Sequence, residues 1–195
     1  MNGNEKIVIA MIGLPARGKS YIARKIARFL NWTGLNAMVF NIGMYRRHHV
    51  GTDCDSKFFD PNNEDAKKQR EYCAIEAIND MINYLKERNG DIAILDGTNT
   101  RVERRKKITQ YLQENLDISY KLIWIESICT LNDIIEKNIF KTKVTSPDYK
   151  HWTDQEKAAD DFRNRIKEYE KIYEILKPET DGKDIAYIQI YNQGT

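Results

Sequence analysis

The chain has 195 residues, of which 41% are hydrophobic, 31% charged and 10% aromatic, a balance that fits one globular domain and excludes a disordered chain. Thirty-one basic against 29 acidic residues leave a formal charge of +2, too weak a field to commit the protein to nucleic acid or to a membrane surface. No apolar run nears the roughly 20 residues of a membrane span, the polar start does not read as a signal peptide, and Cys54, Cys73 and Cys129 form no CxxC pair, so a cytoplasmic protein in a reducing compartment is expected.

Residues 6–12 (KIVIAMI) are a β-rich apolar run and predict a strand buried on both faces. A glycine turn follows at 13–18. From Lys19 to about Trp32, Ile22, Ile26, Phe29 and Leu30 fall at helical spacing. Residues 37–42 predict a second strand. Residues 45–63 have little periodicity and read as loop or broken helix. Residues 64–88 predict a long helix carrying Ala74, Ile78, Met81, Ile82 and Leu85, closed by Asn89-Gly90. A strand at 91–95, a helix at 102–114 and a strand at 119–126 come next. A helix from 131 to about 140 and a loop at 142–152 follow. Residues 153–176 predict a last long helix, with Thr153 as N-cap and Glu156 completing a capping box. Residues 184–191 alternate as a final strand. Such alternation predicts right-handed βαβ crossovers and a three-layer α/β fold, a mainly parallel sheet with helices on both faces. One domain is expected over 1–195, with ligands at the carboxyl ends of the strands.

The turn itself carries chemistry. Gly13, Leu14, Pro15, Ala16, Arg17, Gly18, Lys19 and Ser20 match GxxxxGK[ST] in full, between a buried strand and a helix. The glycines let successive N–H groups point at one oxyanion, and the helix N-terminus adds positive potential. Lys19 then reaches the β- and γ-phosphates, and the Ser20 hydroxyl takes Mg²⁺. This makes the fold P-loop NTPase-type and the chain a nucleoside triphosphate binder, with Mg²⁺ expected beside the phosphates. Asp96 ends the third apolar strand, where an acid holds Mg²⁺ or serves as base; the two roles stay open.

Three arginines lie on apolar stripes. Arg70 precedes Ala74, Ala77 and Met81; Arg104 precedes Ile108 and Tyr111; Arg165 lies among Phe162, Ile166, Tyr169 and Ile172. A cation is costly to bury without a partner, and three of them on three helices predict a meeting around one anion. With Arg46 and Arg47 they suggest a cleft for a second anionic ligand. The run Arg101, Arg104, Arg105, Lys106, Lys107 is expected mostly to be a solvated helix face.

The strings GLPARGKSYIARK (13–25), LNWTG (30–34), FNIGMYRR (40–47), FFDPNNEDA (58–66), DGTNT with ERR (96–105) and SPDYK (146–150) run in one order along the chain. With them the chain resembles the kinase half of the bifunctional 6-phosphofructo-2-kinase/fructose-2,6-bisphosphatases. The resemblance implies ATP-dependent phosphorylation of the C2 hydroxyl of fructose 6-phosphate. Gly13 to Ser20 would cradle ATP, with Lys19, Asp96 and Lys143 at the reacting centre and Cys129 and Asn138 lining the nucleotide pocket. Ser20 and Asp96 would hold the metal. Arg46, Arg47, Arg70, Thr98, Arg104, Arg165 and Tyr169 would form the sugar-phosphate site. Asp60, Val102 and Met44 depart from the family pattern, the first two each replacing a typical arginine. The Arg-His-Gly nucleophile of the bisphosphatase half is absent, the nearest string being Arg47-His48-His49. The rival readings are a P-loop kinase acting on another acceptor, such as a nucleic-acid 5′ end, a nucleoside or another sugar, and an ATP-binding module without turnover. No nucleic acid and no membrane is expected as partner, and a homodimer stays open.

Overall fold

The computed structural model describes residues 5–192. Five parallel strands, β1 (Lys6–Ile12), β2 (Ala37–Asn41), β3 (Ile92–Asp96), β4 (Tyr120–Ile128) and β5 (Ala186–Tyr191), form one sheet in the order β2-β3-β1-β4-β5. Strand alternation sorts the core into two layers. Ile9 and Met11 face α1 (Lys19–Trp32), which contributes Ala23 and Ala27. Val8, Ala10 and Ile12 face the other side, where α3 (Glu64–Glu87) and α4 (Val102–Asn115) bring Ala77, Ile78, Met81, Ile108 and Leu112. These two layers match the expected three-layer arrangement.

A third apolar cluster positions the site. Ile135 of α5 (Asn132–Asn138), Ile139 of a π-helical turn (Ile139–Lys143), Tyr149, and Ala158, Ala159, Phe162 and Ile166 of α6 (Gln155–Glu170) pack together with Ala16 of the glycine turn. This small lobe therefore sits on the phosphate loop itself.

Local structure departs from expectation at several points. Residues 42–49 form a helix, α2 (Ile42–His49), whose N-cap Asn41 accepts from the Met44 N–H at 3.0 Å. A 3-10 turn at Ser56–Phe59 follows. The cap of α6 is Asp154, not Thr153: its carboxylate accepts the Glu156 and Lys157 N–H groups at 3.0 and 3.2 Å, a stronger acceptor one residue on. That helix stops at Glu170, short of 176, because the next residues are captured elsewhere. Tyr173 donates its hydroxyl to the fully buried Glu126 at 2.8 Å, Leu176 N–H reaches the same carboxylate, and Glu174 N–H pairs with Thr100 O at 2.9 Å. A short α7 (Pro178–Asp181) precedes β5. No helix among those described is long and apolar enough to cross a membrane.

Candidate active site

The glycine turn leaves the carboxyl end of β1, the middle strand of the sheet. Gly13 has φ +136°, and a Cβ there would stand 2.4 Å from the Ser127 carbonyl oxygen of β4. Only glycine admits this approach. Ala16 takes φ 60°, and the Asn138 side-chain amide donates to its carbonyl at 2.9 Å. Arg17 is buried; its Nε–H donates to Cys129 O at 3.1 Å, an Nη–H to Pro15 O at 3.0 Å, and it pairs with Glu170 at 3.5 Å. Burial draws its guanidinium below its ordinary pKa, with Glu170 and Cys129 opposing. Lys19 is buried and donates to Leu14 O at 2.6 Å. Burial pushes its ammonium down to about 7; Asp96 opposes this, and Lys143, Arg17 and Arg165 reinforce it. Ser20 opens α1 and is half-buried.

Asp96 ends β3 beside the turn and is 3% exposed. Asn41, its register partner on β2, donates a side-chain N–H to Asp96 Oδ2 while its own Oδ1 caps α2. One asparagine thus ties the strand-end carboxylate to the helix that bears Arg46 and Arg47. Thr98 O accepts the Gly13 N–H at 2.9 Å, and Asn99 donates to Met11 O at 2.8 Å, so the loop after β3 is fastened to β1.

Above this floor the cations gather. Arg46 of α2, Arg165 of α6 and Arg47 reach the same oxygen of Asp148, Oδ2, at 2.6, 3.3 and 3.7 Å. Burial works against the Arg46 charge, but Asp148 more than offsets it and holds the guanidinium above its ordinary pKa. Burial would raise the Asp148 carboxyl; the three arginines hold it below the ordinary range instead. Arg70 donates to the Phe58 carbonyl, and its pKa is lowered by burial, with Arg104 and Arg165 acting in the same direction. Of the three stripe arginines, Arg70 and Arg165 both stand at the Phe59 ring, at 5.9 and 3.6 Å from its centroid. Arg104 pairs with Glu71 at 2.6 Å. Tyr169 lies with its ring 5.9 Å from that of Phe59. Lys143, at the end of the π turn, is lowered by burial and by Arg165, with Asp96 opposing.

The basic run on α4 is mostly solvated as expected, with Lys106 and Lys107 exposed and the Arg101 side chain 40% exposed, but Arg105 is the exception. Arg105 is 2% exposed and forms a two-bond pair with Asp181, while an Nη–H reaches the carbonyls of Asn99, Thr100 and Glu174 at 3.2, 3.2 and 3.0 Å. Arg101 and Lys107 share Glu103. Beside the phosphate loop, a cavity of about 350 Å³ is lined by Leu14, Arg17, Cys129, Ile135, Glu170 and Tyr173. Cys129 borders this cavity, and Asn138 holds the loop backbone through Ala16. Sequence reasoning assigned no role to Asp148, Phe59, Asn41 or Glu71. Asp148, Phe59 and Asn41 lie inside the quoted strings SPDYK, FFDPNNEDA and FNIGMYRR, the available signal, whereas Glu71 lies outside them all.

A family model described as 6-phosphofructo-2-kinase matches residues 1–195. The chain is 44% identical over 191 residues, 98% of its length, to 6-phosphofructo-2-kinase/fructose-2,6-bisphosphatase 3 of Bos taurus, and it spans 41% of that protein. Its fold is shared with a fungal RNA kinase, at TM-score 0.57 and 11% identity, covering 96% of this chain and 75% of that one. It is shared also with the Mycobacterium tuberculosis APS kinase CysC solved with AMPPNP and APS, at TM-score 0.50 and 18% identity, covering 73% and 71%. Those identities speak for a common fold alone; the family match, running over every residue that builds the phosphate loop and the arginine cleft, shows that the chain belongs to the 6-phosphofructo-2-kinase family.

Proposed function

We propose that the protein transfers the γ-phosphoryl group of ATP to the C2 hydroxyl of fructose 6-phosphate, giving fructose 2,6-bisphosphate and ADP. The observation that carries this reading is the pairing of a complete phosphate loop with a separate cleft where three arginines share one carboxylate oxygen. The cleft keeps an excess of positive charge facing a second anionic ligand.

In this reading the loop N–H groups and Lys19 hold the triphosphate, whose oxygens replace the Leu14 carbonyl as the partner of Lys19 Nζ. Arg46, Arg47, Arg70, Arg104 and Arg165, with Tyr169 and Thr98, hold the sugar phosphate. Lys143 neutralises charge on the transferring group. Asp96 orients the C2 hydroxyl or takes its proton as the new oxygen–phosphorus bond forms and the bond to ADP breaks. Phosphoryl transfer of this kind depends on positioning and charge neutralisation. The site fits Mg²⁺ by its donor chemistry: Ser20 and Asp96 would hold it, two hard oxygen ligands. Among the described residues there is no group of three or more His, Cys, Asp or Glu fit to cage a metal, and Mg²⁺ bound through substrate phosphates needs none. When bound, the ion offsets phosphate charge. Three free cysteines support a cytoplasmic setting.

The test is Mg-ATP-dependent ADP release with fructose 6-phosphate against a no-acceptor blank, with phosphorus NMR of the product. A new acid-labile C2 phosphate is expected. Lys19→Ala nearly abolishes turnover. Arg104→Ala raises the sugar KM about tenfold or more, the loss of one charge-assisted hydrogen bond of roughly 1.5–3 kcal/mol. ATP binding without acceptor-dependent ADP refutes the assignment.

A further inference from the structure

One residue of the cleft carries no charge and no polar atom, yet several of its cations border it. Phe59 is 3% exposed. The Arg165 guanidinium lies 3.6 Å from its ring centroid, and those of Arg46 and Arg70 lie at 5.9 Å each. The ring is fixed from behind. Ser56 N–H donates to Asp161 Oδ1 at 3.0 Å, and Tyr149 O–H to Asp161 Oδ2 at 2.8 Å, which anchors the Ser56–Phe59 turn on α6. Phe58 meets Phe59 edge-on at 5.2 Å and 79°.

We propose that Phe59 is a positioning residue for the acceptor phosphate, a π platform that gathers three guanidinium groups without occupying their N–H donors. This rests on the acceptor site proposed above. The physical reasoning is a comparison of partners. A carboxylate would hold an arginine equally well, but it would take the in-plane donors and cancel the charge that an incoming phosphate needs. An aromatic face attracts the cation through its quadrupole and contacts only the flat side of the guanidinium. Arg165 fits this description: one Nη–H reaches Asp148 at 3.3 Å, while its Nε is buried with no hydrogen-bond partner. The platform also offsets part of the repulsion among cations crowded there in the absence of ligand. Asp148 supplies one counter-charge and Phe59 the rest of the order, so the cleft stays cationic and shaped for a tetrahedral anion.

The test uses Phe59→Leu, which keeps an apolar side chain and removes the π face, and Phe59→Tyr, which keeps the ring. Phe59→Met serves as a second apolar variant should the leucine protein fail to fold. The KM for fructose 6-phosphate is expected to rise about tenfold in Phe59→Leu and to stay within about twofold in Phe59→Tyr. The KM for ATP stays near wild type in both. In parallel, inorganic phosphate is titrated by calorimetry with a non-hydrolysable ATP analogue filling the phosphate loop, with Arg165→Ala as the blank. A weaker phosphate affinity in Phe59→Leu supports the platform even if fructose 6-phosphate proves not to be the acceptor. Equal phosphate affinity in Phe59→Leu and wild type overturns it. So does a wild-type protein with no Arg165-dependent phosphate binding, since the cleft is then no anion site.

Discussion

Asp148→Asn tests how the empty cleft is held together. The substitution keeps the side-chain shape and one acceptor oxygen but removes the only carboxylate within ion-pair reach of Arg46, Arg47 and Arg165 among the described residues, at 2.6, 3.7 and 3.3 Å. Both Arg46 and Asp148 side chains are only 4% exposed, so little solvent screens the loss. Removing one partner of a buried pair costs about 3–5 kcal/mol, and the retained amide oxygen favours the lower end. At roughly 2–4 °C per kcal/mol for a domain of this size, the melting temperature falls by about 6–12 °C. A second effect separates this from ordinary damage. The uncompensated arginines bind an anion more tightly, so saturating fructose 6-phosphate restores more of the melting temperature in the variant than it adds to wild type. The pH dependence has a definite sign. The folded carboxyl titrates below its ordinary 3.8, so its stabilisation is present above that value and disappears as pH falls through the folded one. Wild type and variant therefore converge in acid. Differential scanning fluorimetry across pH, with and without the sugar phosphate, makes the measurement. An unchanged melting temperature, or equal rescue by ligand, refutes the reasoning.

Two further expectations follow from buried cations. With its ammonium pushed down to about 7, Lys19 is mostly neutral at pH 8 in the empty protein, and triphosphate binding raises its pKa again. ATP binding then takes up close to one proton at pH 8 and far less at pH 6; calorimetry in buffers of different ionisation enthalpy reads this, and no buffer dependence at pH 8 counts against a buried, neutralised lysine. Arg105→Ala breaks the two-bond pair with Asp181 and frees three carbonyls, which lowers unfolding stability by about 3–5 kcal/mol in urea melts; a loss below about 1 kcal/mol would mean that the contact contributes little.

What the sequence discloses is what local pattern encodes. The strand-turn-helix setting of Gly13 to Ser20 and the apolar stripes around Arg70 and Arg165 are local, and the fold follows them. On α4 the pattern misleads by one residue in its energetics. Arg104 and Arg105 are neighbours on a helix, but the deeply buried one is Arg105, because its partner Asp181 lies 76 residues away. No window of sequence contains that pairing. The same holds for Asp148 and Arg46, 102 residues apart. The early end of α6 is likewise decided from outside, by Glu126 taking Tyr173 and Leu176. Helix α2 reads only as loop or broken helix because GMYRRHH has no apolar period; its cap, Asn41, serves Asp96 as well.

That long-range pairing also bears on the departures from the family pattern. Asp60 replaces a typical arginine, which at first suggests a weaker anion site. Its Oδ1, however, accepts the Asn62 N–H at 2.8 Å and shapes the turn into α3. It pairs with none of Arg46, Arg47 or Arg165, whose shared carboxylate is Asp148. Val102 opens α4 with its N–H on Glu174 at 2.7 Å, a backbone task open to any residue but proline. Met44 is 63% exposed on α2, and its part in the site is the N–H that Asn41 caps. Asp60 and Met44 fall at positions engaged through local turns and caps, and Val102 through a backbone N–H that its side chain does not supply, whereas the cleft is held by side chains from distant elements. A site assembled this way tolerates change at its sequence neighbours and resists it at its spatial ones, so the proposed acceptor specificity rests on Asp148, Phe59 and the arginines they order.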